Sequence, residues 1–225
     1  DVNNAQATMD AAQLDKTTFG SSGWTELVAG LTSVQFTLAG FWQSADEDAV
    51  DPDSFAALGT ADLVTTFGPF DTEATATTDP ANAYLMRNLG GTYELGGEVG
   101  VVAPFRLAMA GSNGVGVRRG HVVKAKGDVS STGQVGQTLD TTSGGTDDLH
   151  VTFHVFSAGT SITVDLETDD NDSFSSPTSL ATIGPLTARG GVWTTVSSAT
   201  YEQYLRLNVT AITGTFSVAA ALAIG

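Results

Sequence analysis

The three histidines are the first side chains to weigh for metal or acid–base chemistry. The chain has 225 residues, no cysteine, and histidines only at His121, His150 and His154. On a β-strand, the four-residue spacing of His150 and His154 places both on one face but ~13 Å apart. Two imidazoles at that separation cannot bind one metal ion, whose nitrogen ligands lie ~2 Å away. Ordinary sheet residues are therefore the favoured interpretation, and no cofactor is predicted.

The polar segment "DDNDS" at 169–173 is the next candidate for metal binding. Asp169, Asn171 and Ser173 have the alternating spacing of a calcium loop. The segment lacks the glycine and the closing glutamate of that motif. A solvated turn between strands is the favoured interpretation, with calcium binding as the weaker alternative.

Catalytic motifs are missing from the rest of the sequence. No serine lies in the Gly-x-Ser-x-Gly context of a nucleophile elbow. No pair of carboxylates lies in an apolar pattern that would suit general acid–base catalysis. We therefore expect that the protein is not an enzyme.

Acidic residues dominate the charge of the chain. The formal net charge is −16, and residues 1–79 hold 13 acids and one base. Tight DNA binding is not expected, because it depends on clustered lysine and arginine. The densest acidic segment, "ADEDAVDPD" at 45–53, is interpreted as a hydrated loop, with weak cation binding as the alternative. Its acids are Asp46, Glu47, Asp48, Asp51 and Asp53.

The segment "GSNGVGVRRG" at 111–120 resembles a phosphate-binding loop only superficially. It lacks the lysine and the subsequent helix of that motif. A hairpin turn at Asn113-Gly114 explains it better, because "HVVKAKG" after it alternates like a strand. The same region holds a basic cluster, for which acids on identical copies are available partners. The cluster consists of Arg118, Arg119, Lys124 and Lys126.

An all-β fold is predicted as the framework of these motifs. Val34, Phe36 and Leu38 alternate with polar or small residues, and turn-forming clusters recur between runs rich in Val, Thr, Phe and Leu. Further strands are predicted at 92–95, 101–110, 115–124, 149–156, 161–167, 192–196, 203–210 and 214–223.

At most two short helices are predicted. Asp53 and Ser54 could cap one that Gly59 would end. A second is predicted over 79–87, with Asp79 as N-cap and Pro80 at the first helical position, although a strand could equally begin there. No membrane-spanning segment is expected, since the apolar run at 216–224 is shorter than the ~20 residues a bilayer requires. The sequence as given opens on no signal peptide.

Two domains are predicted, with a boundary near 127–133. The stretch "GDVSSTGQVGQTLDTTSGGTDD" at 127–148 is polar and rich in turn residues. The residues after it have the pattern of an independent β-sandwich of ~100 residues. We therefore predict one β-domain at 1–127 and a second at 128–225, the latter an immunoglobulin-like or jelly-roll-like β-sandwich.

Several segments together carry a resemblance to a known family. "LDKTTFGSSGWTELVAGLTSVQFTLAGFW" at 14–42 resembles the early β region of major tail tube proteins of long-tailed, siphovirus-like viruses of bacteria and archaea. "YELGGEVGVVAPFRLAMAGSNGVGVRRGHVV" at 93–123 is similar to the second half of that domain. The segments 149–183 and 204–225 are similar to an outward sandwich domain found on some tube proteins.

The resemblance implies a structural virion protein located in the tail and assembled in the host cytoplasm. Hexameric rings of the protein would stack into a hollow tube through which viral DNA is delivered. Residues 1–127 would form the tube as a β-sandwich or barrel, and 128–225 would decorate its outside. The implied partners are further copies of the chain, the tape measure protein, the tail terminator and distal tail proteins. Double-stranded DNA would pass without tight binding, and no membrane would be involved.

Two sets of residues acquire a predicted role in such a tube. Phe19, Trp24 and the basic cluster are predicted at contacts between subunits, because a large aromatic beside glycines and serines is typical of an interface anchor. Hydrophobic core or hairpin contacts within one chain remain the alternative for Phe19 and Trp24, as for Leu27 and Leu31. The five acids at 45–53 are predicted to line the lumen, since a wall without basic residues would let DNA slide.

Two other functions are compatible with a β-rich chain. One is a capsid decoration or another tail component, which would share assembly but differ in geometry. The other is a carbohydrate-binding sandwich for attachment to the host surface. The candidate exposed aromatics for such a site are Phe174, Trp193 and Tyr201, although a core position is the favoured interpretation of Trp193 in "GGVWTTV".

Overall fold

The predicted all-β fold is confirmed. A computed structural model describes residues 2–17, 24–42, 50–69, 72–97, 102–112 and 114–225, which form thirteen strands and one helix. In chain order these elements are β1 (Val2–Asp15), β2 (Leu27–Phe41), α1 (Val50–Ala56), β3 (Leu63–Phe67), β4 (Asn82–Leu95), β5 (Pro104–Gly111), β6 (Val117–Val129), β7 (Gly133–Asp140), β8 (Gly145–Ser157), β9 (Ser161–Asp169), β10 (Thr178–Leu186), β11 (Gly190–Tyr201), β12 (Tyr204–Thr213) and β13 (Phe216–Ile224).

The chain forms two compact units. The first consists of Asp1–Leu63 and Arg87–Val117, and the second of Val64–Met86 and Arg118–Gly225. The chain therefore enters the second unit within β3, leaves it within β4 and returns at the start of β6. The predicted boundary between 127 and 128 falls inside β6, and the assignment of tube-forming and decorating roles to the two parts stays a prediction.

In the first unit the strand order is β1–β2–β5–β4. β2 and β5 pair antiparallel from Gln35 opposite Ala110 to Phe41 opposite Pro104. Large apolar side chains that alternate along these two strands are buried, as a strand with one inward face requires. They are Val34, Phe36, Phe105, Leu107 and Met109.

The second unit contains a β-sandwich. One sheet has the order β4–β6–β13–β8–β11 within this unit, and the other has the order β10–β9–β12–β7. Alternating residues of both sheets form one buried cluster between them. Its largest fully buried members include Phe153, Phe216, Leu139, Leu166 and Leu207.

The predicted helix at 79–87 is wrong. The chain enters β4 at Asn82, and Ala83 and Leu85 are fully buried in the alternation of a strand. The Asp79 carboxylate caps a turn instead, because its Oδ2 accepts hydrogen bonds from the backbone nitrogens of Thr75 at 2.7 Å and Ala76 at 3.0 Å. These bonds, the one from the Thr75 backbone foremost, hold the pKa of the Asp79 carboxyl below its usual value.

The other predicted helix is present but begins earlier. α1 starts at Val50, three residues before the predicted cap. It ends before Gly59, whose φ of +71° is the left-handed conformation that favours glycine at a helix end. The described part of the chain contains no helix of the length and apolarity that crossing a bilayer demands.

Candidate assembly surface

A two-stranded extension of the first unit is the candidate assembly surface. β1 pairs with β2 along its length, from Val2 opposite Gly40 to Asp15 opposite Leu27. β5 reaches only as far as Gln35 on the other side of β2. Among the described residues, Met9–Asp15 and Leu27–Val34 therefore pair only with each other. We call these two segments the β1–β2 arm.

Large apolar side chains are exposed on this arm and next to it. Trp24, just before β2, is 79% exposed, and Leu31 is 88% exposed. Four further side chains, Met9, Leu14, Leu27 and Val28, are about half exposed. Six large apolar side chains exposed on and beside one two-stranded segment make it a candidate for a protein–protein contact.

Polar contacts fix the far end of the arm. The Thr17 backbone nitrogen donates to Asp15 Oδ1 at 2.7 Å, and the Glu26 backbone nitrogen donates to Thr17 Oγ1 at 2.9 Å. The Lys16 ammonium lies 3.3 Å from the Glu26 carboxylate. The hydrogen bonds from Thr17 also hold the pKa of the Asp15 carboxyl below its usual value. These contacts hold Lys16 and Thr17 against Glu26, which lies two residues after Trp24.

A groove of about 800 Å³ lies beside the base of the arm. The arm contributes Met9–Ala11 and Leu31–Val34 to its walls, and the opposite wall is formed by Ala110–Ser112 with Gly114, Gly116 and Val117. The groove and the exposed arm belong to the same unit. One unit thus offers both an apolar projection and an open cleft.

The predicted interface residues are only partly described. Phe19 lies outside the described residues, and Trp24 is exposed, so the alternative of core packing for Trp24 is wrong within one chain. Sequence reasoning missed β1, the partner strand of the arm. Its signal was an alternation of Ala5, Ala7, Met9 and Ala11 with polar residues, which is weak because alanine is a poor marker of a buried face.

The basic cluster has partners within its own chain. Lys124 Nζ lies 3.3 Å from Glu73 Oε1, with both side chains largely buried. Lys126 Nζ lies 4.7 Å from the centre of the Phe156 ring. Of the two arginines, Arg118 donates to the main-chain oxygen of Gly225 at 3.0 Å and Arg119 donates to Asn82 Oδ1 at 3.2 Å. A role of the cluster between subunits stays a prediction.

The acids predicted to line a lumen divide into two groups. Asp46, Glu47 and Asp48 lie outside the described residues. Asp51 and Asp53 belong to α1, where Asp53 is exposed and Asp51 is half-buried. Asp51 Oδ1 accepts hydrogen bonds from Trp42 Nε1 at 3.1 Å and from the Tyr93 hydroxyl at 2.9 Å. Asp51 thus connects α1 to the rest of the first unit. A position of these acids in a lumen stays a prediction.

The candidate calcium residues organise their own loop. Asp169 is buried and accepts hydrogen bonds from the backbone nitrogens of Asn171 at 3.0 Å and Ser176 at 2.9 Å. Asn171 Oδ1 accepts from the backbone nitrogen and hydroxyl of Ser173 at 2.9 and 2.8 Å. The bond from Ser176, together with weaker ones, lowers the pKa of the Asp169 carboxyl. In the described part of the chain no group of three or more potential metal-ligating side chains converges.

His150 and His154 lie on one face of β8, opposite the face that enters the sandwich core. His150 Nδ1 is 3.1 Å from Thr195 Oγ1, and His154 Nε2 is 2.9 Å from Thr66 Oγ1. β3, which supplies Thr66, therefore covers this face. Burial lowers the pKa of His154 to about 4 and also lowers that of His150.

The aromatics proposed for a carbohydrate site are not an exposed platform. Phe174 is 6% exposed and Tyr201 is 7% exposed. Trp193 is half-buried and packs against Ala221 and Ala223, with its ring 5.5 Å from that of His150. Phe174 and Tyr201 are therefore not exposed rings that could bind a glycan at the surface. Trp193 packs against the core of the second unit, the placement that its sequence context favours.

No protein-family model matches the chain, and no curated protein matches it. Solved structures do. A chain of the virion of the native gene transfer agent particle is 18% identical, with a TM-score of 0.36 over 52% of this chain and 83% of that one. A chain of the tail of the empty gene transfer agent particle, refined with C6 symmetry, is 22% identical, with a TM-score of 0.36 over 50% and 78%.

The third similar structure is SPP1 Dit, described as a paradigm of the hub adsorption apparatus in phages that infect Gram-positive bacteria. It is 10% identical, with a TM-score of 0.34 over 100% of this chain and 93% of that one. All three similarities are at 22% identity or less, with TM-scores of 0.36 or less.

Proposed function

We propose that the protein is a non-enzymatic structural component of a viral tail, whose copies form six-membered rings that stack into a hollow tube for DNA. The observation that carries the proposal is the β1–β2 arm with its exposed apolar side chains. Trp24 and the whole of β2 also lie in the segment 14–42 that resembles tail tube proteins. The arm is therefore the part of the chain where geometry and sequence resemblance coincide.

Association is expected to stabilise the arm. An isolated two-stranded ribbon is marginally stable in water. Burying one leucine side chain such as that of Leu31 contributes ~1.5–3 kcal/mol. Covering the six exposed apolar side chains of Trp24 and the arm by neighbouring copies would provide the driving force that the isolated chain lacks.

The edge of β1 offers a second means of association. β1 is the terminal strand of its sheet, and its fourteen residues include neither proline nor lysine, two common means of blocking an exposed edge. A strand from another copy could pair with its free backbone groups. A contact between two different surfaces of the same chain, such as an arm and the groove beside it, repeats head to tail, and it closes into a ring when the rotation between copies divides a full turn evenly.

The charge of the chain suits a channel for DNA. With 25 acids and 9 bases, a wall built from many copies would not hold phosphates. We assign Asp53 and the acids at 46–48 to the lumen. Asp51, the fifth acid of this segment, is held by Trp42 and Tyr93. The tape measure protein would fill the tube before DNA passes, and the terminator and distal tail proteins would bind its two ends.

Electron microscopy of the purified protein tests the proposal. Rings or tubes with a central channel are expected in negative stain, and a helical reconstruction should place acids rather than arginine or lysine on the channel wall. A protein that remains monomeric at high concentration would contradict the proposal. Closed shells or discrete caps in place of tubes would favour a capsid decoration or another tail component.

A further inference from the structure

A polar pocket in the second unit is not explained by the proposed tube. It lies between the segment 77–82 and the start of β6, and it has a volume of about 420 Å³. Its walls carry hydroxyl, amide, guanidinium and imidazole groups. The side chains that matter are those of Thr77, Thr78, Asp79, Asn82, Arg119 and His121.

Internal hydrogen bonds hold the segment in place. Asp79 Oδ2 accepts three of them, from the Thr75 backbone, the Thr75 hydroxyl and the Ala76 backbone. The Thr77 backbone nitrogen donates to the Asp140 carbonyl at 2.9 Å. Asn82 Nδ2 donates to the Pro80 carbonyl at 3.2 Å. The pocket is therefore built before any ligand arrives.

Several donors that face this space have no partner among the described residues. His121 Nδ1 is buried without a hydrogen bond to any of them. The structure shows no hydrogen bond from the hydroxyls of Thr77 or Thr78 to the described part of the chain. Arg119 uses one of its five N–H groups, in the 3.2 Å bond to Asn82 Oδ1. A buried polar atom without a partner is costly, and His121 Nδ1 is a donor in the tautomer that places the ring proton on it, so a ligand that accepts hydrogen bonds would stabilise that tautomer here.

The charges of the pocket select the ligand. Burial, and after it the charge of Arg119, lowers the pKa of His121 against the opposing effect of Asp79, so the imidazole is neutral near pH 7. Arg119 is then the one permanent cation lining the pocket, and Asp79 already supplies one negative charge. Because Arg119 and Asp79 cancel, a bound carboxylate gives the site one net negative charge and a doubly charged phosphate gives it two, so the singly charged ligand is the less costly anion. The three hydrogen bonds that Asp79 accepts stabilise its own charge and leave Arg119 to pair with the ligand. The planar guanidinium also matches the geometry of a carboxylate.

We propose that this pocket binds a carboxylate, which Arg119 holds while the donors of His121, Thr77 and Thr78 complete its hydrogen bonds. The carboxylate could belong to an acidic side chain of a second copy or to a small molecule in solution. Identical copies are a rich source, since each carries 25 acids against 9 bases. The pocket lies within one chain, so the proposal does not depend on tube formation.

Nuclear magnetic resonance of the unassembled protein tests the binding. Sodium acetate replaces sodium chloride at constant ionic strength and pH 7, and the ring resonances of His121 are monitored. A saturable shift is expected with acetate, and no shift with chloride. Because a hydrogen bond to a charged group contributes ~1.5–3 kcal/mol, Arg119→Gln should raise the dissociation constant at least about tenfold. Thr78→Val leaves the charge unchanged and removes one hydroxyl that is exposed to solvent, so it should raise the dissociation constant less, about threefold.

Arg106→Gln is the matched control, because it removes the same charge from an exposed arginine of the first unit. It should leave acetate binding unchanged. Equal, non-saturating shifts with acetate and chloride would overturn the proposal, and so would unchanged acetate affinity in a folded Arg119→Gln protein. Saturation by phosphate at a lower concentration than acetate would also overturn it.

Sedimentation of the assembled protein distinguishes the two sources. If Arg119→Gln weakens assembly while Arg106→Gln does not, the carboxylate comes from a second copy. If acetate binds and assembly is the same in both variants, the ligand is a free carboxylate. A protein that binds acetate but never assembles would contradict the proposed tube function and would still support the carboxylate site.

Discussion

The Tyr93 hydroxyl donates a hydrogen bond of 2.9 Å to Asp51 Oδ1, which joins β4 to the first turn of α1. The same oxygen accepts from Trp42 Nε1, just after the end of β2. Burial first, and then the Asp51 carboxylate, raise the pKa of Tyr93 to about 12. The Asp51 carboxylate thus connects α1 both to Trp42, just after the end of β2, and to Tyr93 of β4.

Tyr93→Phe is expected to lower the free energy of unfolding by about 1–2 kcal/mol, because it removes a hydrogen bond to a charged, half-buried acceptor. Urea denaturation measures the change. Tyr84→Phe is the control: Tyr84 stacks on Phe67, and the structure shows no hydrogen bond from its hydroxyl to a described residue. Equal losses in the two variants would mean that the Asp51 bond contributes nothing.

Glu73→Gln is expected to destabilise the second unit by about 2 kcal/mol, because Glu73 Oε1 accepts from Lys124 Nζ and from the Ala125 backbone while largely buried. Thermal and urea unfolding measure the effect. Glu94→Gln is the matched control, since its ion pair with Arg106 is exposed and should contribute less than about 0.5 kcal/mol. A loss no larger than that of the control would contradict this structural role for Glu73.

The basic cluster illustrates what the sequence could and could not predict. Its placement on a strand could be inferred from the alternation after Gly120. Its partners could not, because Glu73 is 51 residues from Lys124 and Asn82 is 37 residues from Arg119. Contacts over such separations depend on how β4 and its preceding turn meet β6, which local patterns do not specify.

The segment 79–87 shows the same limit at the level of secondary structure. Asp79-Pro80 is a valid helix start, but Ala81, Ala83 and Leu85 also satisfy the alternation of a strand. Tertiary packing decides between them: Ala83 and Leu85 fill the space against Ala221 and Ala223 of β13. Only the strand places these two side chains on the same face.

Arg206→Met is expected to cost about 3 kcal/mol, because it leaves a buried carboxylate without its cation. Arg206 contacts Glu167 Oε2 through Nε at 2.8 Å and through Nη2 at 2.7 Å, and its guanidinium lies 4.0 Å from the Phe174 ring. The Glu167 side chain is 9% exposed. Chemical denaturation provides the measurement.

Adding Glu167→Gln to Arg206→Met should recover part of that loss, since the double variant contains no buried unpaired charge. Arg106→Met, at the exposed pair with Glu94, should change stability by less than about 0.5 kcal/mol. If the double variant is less stable than Arg206→Met alone, desolvation of Glu167 is not the reason for the loss.

The low pKa of His154 predicts that the free energy of unfolding depends on pH. Its pKa in the folded chain is about 4, below its usual value of 6.5, because the ring is buried. Between these values the unfolded chain binds a proton that the folded chain does not, so stability is present above pH 6.5 and is lost as the pH falls towards 4. By pH 5 the loss relative to pH 7.5 should be about 2 kcal/mol.

Comparison with His154→Gln isolates this effect from the titration of carboxylates. Glutamine can keep a hydrogen bond to Thr66 but has no proton to gain, so the variant should lose about 2 kcal/mol less than the wild type between pH 7.5 and 5. Urea denaturation at the two pH values gives both differences. Parallel pH dependence in the two proteins would show that His154 does not titrate as described.

Trp24→Ala is expected to prevent tube formation and to leave the chain folded. The side chain is 79% exposed, so its removal creates no cavity within one chain, while an anchor at an interface typically contributes ~2 kcal/mol or more to association. Phe55→Ala is the matched control, because Phe55 is 69% exposed on α1, outside the arm. Circular dichroism should be the same for all three proteins, and electron micrographs should show tubes for the wild type and Phe55→Ala alone. Insoluble Trp24→Ala protein would instead assign Trp24 to folding, and normal tubes would show that Trp24 does not contribute to the interface.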